Sequence, residues 1–211
     1  MTYLDLEALE RTPLLQEPYE HIMVPNFIPP AAFPSVVKDF PKVPGPGSHP
    51  PAELDIGGAF GGLMNEMMGP AFKRAIEAKF DIDLTGRPAM YTVRGFVSEH
   101  DGDIHTDSRT KIITVLLYMN EGWESDGGRL RILRSQNLED YSSEVSPNGG
   151  TLLVFKRSDT SWHGHHRHAG PRRAIQLNWV TGVDVVRREQ NRHRLSTRIK
   201  KITGVFKKLA G

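Results

Sequence analysis

The strongest constraint on the fold of this chain is a series of short apolar segments, rich in β-branched residues, between Ala89 and Val180. Turn-forming sequences separate the segments and leave no room for intervening helices, which excludes a doubly wound parallel sheet. Short strands at fairly even spacing instead predict an antiparallel sandwich or barrel. The predicted strands are 91–97, 112–119, 130–133, 151–155 and 174–180, and the predicted turns are 120–128, 146–150 and 168–171.

The sequence before this region predicts helices and loops. Residues 31–40 follow two prolines and predict a short helix, and residues 64–80 predict a helix with a break at Gly69-Pro70. The Pro- and Gly-rich stretch 41–51 predicts an irregular loop. A chain of 211 residues is long enough for one domain and short for two. We therefore expect a single domain with helical support over 1–88, a strand-rich core over 89–182 and a tail over 183–211.

The tail is the strongly charged part of a chain whose net charge is only +2. From Arg187 to Lys208, nine Lys and Arg residues stand against one acid, Glu189. Apolar residues at 195, 199, 202, 206 and 209 follow helical spacing and predict an amphipathic basic helix. Such a helix can dock on the barrel, form a homodimer with a second subunit, or bind an anionic partner such as a membrane or nucleic acid.

The absence of cysteine excludes disulfides, thiolate nucleophiles and cysteine-based metal centres. Any metal must be held by histidine and carboxylate side chains, which suit iron, manganese or zinc. The N-terminal sequence carries Asp5, Glu7 and Glu10 where a signal peptide needs an apolar run, so we expect a cytoplasmic protein.

A candidate metal site begins with His105 and Asp107, which are separated by one residue and point to the same side of an extended segment. His163, beyond several predicted strands, completes a set of two histidines and one carboxylate. This set can bind one face of an iron(II) ion, but a zinc hydrolase can use the same ligands with a water molecule. An arginine that grips a carboxylate would distinguish the two, and Arg173 opens a strand that ends in Trp179.

The region from Tyr91 to Val180 resembles the prolyl-4-hydroxylase-like branch of the 2-oxoglutarate/iron(II) oxygenases. The shared blocks are individually weak, but their order and spacing are specific. They are HTD at 105–107, KIITVLLYMNEGW at 111–123, GGRLRIL at 127–133, VSPNGGTLLVF at 145–155, SWHG at 161–164 and GPRRAIQLNW at 170–179. The resemblance does not extend to the basic tail.

This resemblance implies a mainly β fold, a double-stranded β-helix (jelly roll) buttressed by N-terminal helices. It implies iron(II) bound by His105, Asp107 and His163, with 2-oxoglutarate and O2 as co-substrates and ascorbate as an additional reductant. Arg173 matches the arginine that binds 2-oxoglutarate, because it precedes the strand tryptophan by six residues as the family arginine does. Arg172 is the alternative.

The resemblance also assigns Tyr118 to the distal carboxylate of 2-oxoglutarate. Halogenating relatives replace the metal-binding carboxylate, so Asp107 favours hydroxylation with release of succinate and CO2. Phe96 stands where many prolyl hydroxylases have tyrosine, which leaves the substrate open.

Two other functions are compatible with the sequence: a cupin-like metalloenzyme that does not use 2-oxoglutarate, and a non-catalytic binding module that acts through its tail. The additional histidines, His165, His166 and His168, are either strand neighbours or a second site for a metal or an anion.

Overall fold

The strands form two antiparallel sheets within residues 2–188, which are the residues that the computed structural model describes. The spatial order in the larger sheet is β1 (His21–Val24), β6 (Leu152–Lys156), β3 (Lys111–Tyr118), β8 (Gly170–Val180) and β2 (Ala89–Val97). The order in the smaller sheet is β5 (Tyr141–Val145), β4 (Leu130–Leu133) and β7 (His163–Gly164). Apolar side chains of both sheets pack together in one cluster. The predicted double-stranded β-helix is therefore confirmed.

Helices cover the face of the larger sheet that points away from the smaller sheet. They are α1 (Leu6–Arg11), α2 (Phe33–Lys38), α3 (Gly58–Met67) and α4 (Pro70–Phe80), with a 3-10 turn at Pro51–Glu53. Because side chains alternate along a strand, each central strand serves two cores. Val115 and Leu117 of β3 pack towards the helices, whereas Tyr118 packs towards the smaller sheet.

The predicted break at Gly69-Pro70 is confirmed, since α3 ends at Met67 and α4 begins at Pro70. Proline suits the first turn of a helix because its missing N–H would have no partner there. Helix α3 begins at Gly58, earlier than predicted, because its glycine-rich start hides the helical pattern. Gly62 leaves room for a close neighbour: a Cβ at this position would lie 2.6 Å from the ring of Tyr3.

Three strands were not predicted. Strand β1 pairs with β6 at the edge of the larger sheet, so residues 1–88 are not purely helices and loops as expected. Strand β5, with sequence YSSEV, is too polar to stand out, and β7 has only two residues. Strand β8 begins at Gly170, inside the predicted turn 168–171.

The basic tail falls mostly outside the structure. Residues 183–188 are helical, but positions 195–209, which carry the predicted apolar stripe, lie outside the described residues. Between residues 2 and 188, no helix has the length and apolar character needed to cross a membrane.

We expect Phe72→Ala to reduce the free energy of unfolding by about 3–5 kcal/mol, because the substitution leaves a cavity between the helices and the sheet. The Phe72 side chain is fully buried, and its ring centroid lies 5.8 Å from that of Phe27 and 6.0 Å from that of Trp179. Denaturant unfolding monitored by circular dichroism measures the loss. Met68→Ala is the control, because Met68 is exposed and we expect a change within about 0.5 kcal/mol. Equal losses in the two variants would contradict this packing.

Candidate metal centre

The three predicted metal ligands meet at one end of the smaller sheet. His105 and His163 form an antiparallel backbone pair, in which each N–H donates to the other residue's carbonyl at 3.0 Å. Their imidazole centroids are consequently only 4.4 Å apart. Asp107 follows His105 by two residues and points to the same side. One potential ligand atom from each of the three residues lies within 4.8 Å of the others.

Each imidazole is oriented by a backbone carbonyl. Nδ1 of His105 donates to the carbonyl oxygen of Asp103 at 2.8 Å, and Nδ1 of His163 donates to that of Ser161 at 2.9 Å. A carbonyl can only accept, so in the neutral ring Nε2 keeps its lone pair for a metal. Burial lowers the pKa of His163 to about 4, which keeps this ring neutral near pH 7.

Asp107 is buried and ionised. Its Oδ1 accepts from the Lys111 ammonium at 2.6 Å, and its Oδ2 accepts from the Thr114 hydroxyl at 2.5 Å. Burial alone would raise the pKa of Asp107, but Lys111, His163 and the Thr114 hydroxyl together hold this pKa below its usual value. The side-chain oxygen Oδ1 of Asn178 lies 3.0 Å from the Thr114 hydroxyl oxygen and extends this polar network.

Two imidazoles and one carboxylate are a suitable ligand set for iron(II), and also for manganese or zinc. Three protein ligands leave further coordination positions for exogenous ligands. Among the described residues, this is the one group of three or more histidine and acidic side chains that could hold a metal. The residues present therefore fit the predicted metal.

We expect Thr114→Val to weaken iron(II) binding by about 10–100-fold, which is typical when a residue that orients a metal ligand is lost. Valine has the shape of threonine but lacks the hydroxyl that fixes Oδ2 of Asp107. Competition with a coloured chelator measures the affinity, and thermal unfolding tests the fold. Thr160→Val is the control, since its exposed hydroxyl contacts only Ser158. Unchanged affinity in Thr114→Val would show that Lys111 alone positions Asp107.

The structure places Arg172, and not Arg173, beside the metal ligands. The Arg172 side chain is buried and lines a cavity together with His105 and His163. Its Nε donates to the Gly128 carbonyl at 2.8 Å, and its Nη2 donates to the Tyr118 hydroxyl at 3.4 Å. The preferred assignment of Arg173 is therefore corrected to the alternative, Arg172.

The correction follows from strand alternation. Trp179 packs against Phe72 on the helix side of the larger sheet. A residue six positions earlier lies on the same side, and the Arg173 guanidinium accordingly lies 5.5 Å from the centroid of the Phe40 ring. The cavity instead receives Arg172, Ala174 and Gln176. Arg173 does precede Trp179 by six residues, as in the family pattern. In this chain, however, Trp179 faces the helices and not the metal ligands, and Arg173 faces the same way.

The cavity that contains Arg172 has a volume of about 280 Å³, which suits a small dicarboxylate. Its apolar wall includes Leu116, Leu130 and Ala174. The Tyr118 hydroxyl lies behind the guanidinium and positions it. Burial raises the pKa of Tyr118, so the hydroxyl keeps its proton.

Gly128, whose carbonyl binds Arg172, can hardly be any other residue. Its φ of 78° is left-handed, and a Cβ would lie 2.6 Å from the Trp123 ring. The Gly127-Gly128 turn seen in the sequence therefore has a specific role in holding the arginine.

The additional histidines have separate environments. His165 lines the same cavity, and burial and the nearby Arg172 lower its pKa to about 4. His166 contacts Arg131 and Glu139, and the ring centroid of His168 lies 4.6 Å from that of Trp123. These contacts do not bring the three rings together as a second metal site.

Sequence reasoning missed Lys111, Thr114 and Arg94 as residues of the site. Lys111 and Thr114 contact Asp107, and Arg94 lines the cavity. One signal was available, since Thr114 is a hydroxyl residue inside the otherwise apolar run IITVLLY and shares a strand face with Tyr118.

A jelly roll with two histidines, one carboxylate and a buried arginine in its cavity defines the class of non-haem metal-dependent oxygenases. Residues 87–181 match the family model described as the 2OG-Fe(II) oxygenase superfamily. The jelly-roll part of this chain is thus similar to that superfamily, and its His105, Asp107 and His163 site fits iron(II), with 2-oxoglutarate as the co-substrate.

Two solved structures are similar in fold. A prolyl-4-hydroxylase from Pseudomonas putida is 17% identical with a TM-score of 0.50, over 83% of this chain and 88% of that one. A prolyl 4-hydroxylase from Phytophthora capsici is 14% identical with a TM-score of 0.53, over 87% of this chain and 64% of that one. No curated protein sequence matches this chain significantly. The fold is therefore of the prolyl-4-hydroxylase type.

Proposed function

We propose that this protein is a hydroxylase that couples conversion of 2-oxoglutarate to succinate and CO2 with hydroxylation of a second substrate. The observation that carries the proposal is Arg172, a buried guanidinium in the cavity that also contains His105 and His163. In a protein that only binds a metal, such an arginine would be costly to bury without an anionic partner.

The protein residues have distinct roles in this proposal. Arg172 grips the distal carboxylate of 2-oxoglutarate, because its planar guanidinium can donate two parallel hydrogen bonds. Tyr118 and the Gly128 carbonyl hold the guanidinium in place. Leu116 and Leu130 keep water away from the carbon chain of the co-substrate.

The bound iron supplies the oxygen chemistry, and His105, Asp107 and His163 hold it in place. Asp107 occupies the ligand position that halogenating relatives leave free for chloride, which favours hydroxylation. Stimulation by ascorbate, a homodimer formed through the basic tail and a cytoplasmic location are further proposals that rest on the sequence.

Anaerobic titration of the metal-free protein with iron(II) and then 2-oxoglutarate tests the proposal. We expect the weak visible absorption band of an iron-bound 2-oxo acid, followed by succinate formation when O2 is admitted. The same titration with zinc(II) is the control, and it gives no band. If iron binds without a band, the cupin-like alternative is favoured; if the folded protein binds no metal, the site itself is wrong.

A further inference from the structure

The metal ligands lie between two lobes of one cleft. The first lobe contains Arg172 and is assigned above to 2-oxoglutarate. The second lobe has a volume of about 310 Å³ and shares Arg94, His105 and Gln176 with the first. Asp107 lines only the second lobe. A molecule in the second lobe would therefore approach the metal ligands beside Asp107, whereas a molecule in the first lobe would approach them beside His163.

One wall of the second lobe is a pair of strands with unpartnered polar side chains. Strands β2 and β8 pair in a register that places Thr92 opposite Gln176. Both side chains line the lobe, and neither forms a side-chain hydrogen bond to any described residue. The Thr92 side chain is largely buried, but its hydroxyl is not sealed off from the lobe. The polar groups of Thr92 and Gln176 are therefore open to hydrogen bonds with a ligand in this lobe.

Arg94 is held rigidly at the boundary of the two lobes. Its Nε donates to the Ser48 hydroxyl at 2.9 Å, and its Nη1 donates to Asp101 at 3.3 Å. Within residues 2–188, its Nη2 has no hydrogen-bond partner. A guanidinium fixed on two sides and open on the third is prepared for an anion.

The lining of the second lobe holds two cations, and each is paired with a carboxylate: Arg94 with Asp101 and Lys111 with Asp107. It contains Arg94 and Lys111, whereas its one carboxylate among the described residues is the metal ligand Asp107. Apart from the His105 imidazole, no described residue of this lining carries an aromatic ring. The apolar side chains of the lining are Met90, Val180 and Val185, so the lobe offers no aromatic surface on which a prolyl ring could stack.

We infer that the substrate is a small polar acid whose anionic group binds Arg94 and whose hydroxyl or amide groups bind Gln176 and Thr92. This inference rests on the proposed function, which assigns the first lobe to 2-oxoglutarate. The anion is a carboxylate or a phosphate, since a guanidinium binds both in the same way. The volume of the lobe suits a molecule about the size of an amino acid.

The test measures binding to the anaerobic iron–2-oxoglutarate complex, through the change that each probe causes in the visible band. Free L-amino acids are compared with their C-terminal amides, and glycerol 3-phosphate is compared with glycerol. A tripeptide with a central proline and blocked ends represents the peptide alternative. We expect at least one acid to bind about tenfold or more tightly than its neutral partner. A preference among the amino acids identifies the anion as a carboxylate, and a preference for glycerol 3-phosphate identifies it as a phosphate.

Two variants test the residues. We expect Arg94→Gln to reduce the preference for the acid over its neutral partner by about tenfold or more, and the 2-oxoglutarate band to remain because Arg172 is unchanged. Thr92→Val keeps the side-chain shape and breaks no internal hydrogen bond, so this variant should fold normally. We expect it to weaken binding of the acid a few-fold. Arg11→Gln, which changes an exposed arginine of α1, is the matched control.

The outcomes separate this inference from the proposed function. Equal binding of acids and neutral partners, or tighter binding of the blocked tripeptide, overturns the inference while the 2-oxoglutarate band still supports the oxygenase. A preference for acids that survives in Arg94→Gln and in Thr92→Val overturns the residue assignment. If 2-oxoglutarate gives no band, the proposed function fails and the inference fails with it.

Discussion

We expect His163→Ala to reduce iron(II) affinity by more than the roughly 10–100-fold that loss of a residue orienting a metal ligand costs, and succinate formation to fall to background. The reason is that the substitution removes one of three protein ligands, and the remaining pair, His105 and Asp107, lies on a single segment of chain. Chelator competition measures the affinity, and coupled succinate detection measures turnover.

The matched control is His166→Ala. This histidine lies three residues further along the same segment, but its ring contacts Arg131 and Glu139 instead of the metal ligands. We expect its iron affinity to stay within about threefold of the unmodified protein, as for a surface substitution. An equal loss in both variants would mean that the segment, and not the ligand, was disturbed.

The second large effect separates two neighbouring arginines. Arg172→Gln should weaken 2-oxoglutarate binding by about 2–5 kcal/mol, a factor of roughly 30 to several thousand, because a buried carboxylate loses its charged partner. Arg173→Gln should change the affinity by less than about threefold, since its guanidinium lies over Phe40 on the helix side. Anaerobic titration gives the dissociation constant, and the KM for 2-oxoglutarate provides an independent value.

Iron affinity is the internal control for this pair, because neither arginine contacts a metal ligand. If Arg173→Gln gave the larger loss, the strand register described above would be wrong by one residue. If neither variant changed the affinity, the first lobe would not be the co-substrate site.

The arginine pair also shows where sequence reasoning reached its limit. The blocks around the site predicted the fold, and the structure brings the predicted ligands His105, Asp107 and His163 together. The choice between Arg172 and Arg173 depended on which face of β8 is buried in the site, and a change of one residue exchanges the two faces. The decisive contact is that of Trp179 with Phe72, and these two residues are more than a hundred positions apart in the chain.

Local signals were too weak for other parts of the fold. Strand β1 has four residues, and β7 has two and contains the metal ligand His163. Such segments become strands only because a neighbouring strand supplies their hydrogen-bond partners. Thr114 illustrates the opposite case, since its alternation with Tyr118 on β3 could have placed both side chains on the site face of the strand.

The reciprocal backbone pair between His105 and His163 gives the metal a mechanical role. His105 lies in the connection between β2 and β3, whereas His163 belongs to β7 of the smaller sheet. An ion bound to both imidazoles would add a crosslink between two regions that backbone hydrogen bonds and the Arg167–Asp103 ion pair already join. Metal binding and closure of the jelly roll are thus thermodynamically linked. At a free iron concentration 100 times its dissociation constant, the folded state gains about 2.7 kcal/mol.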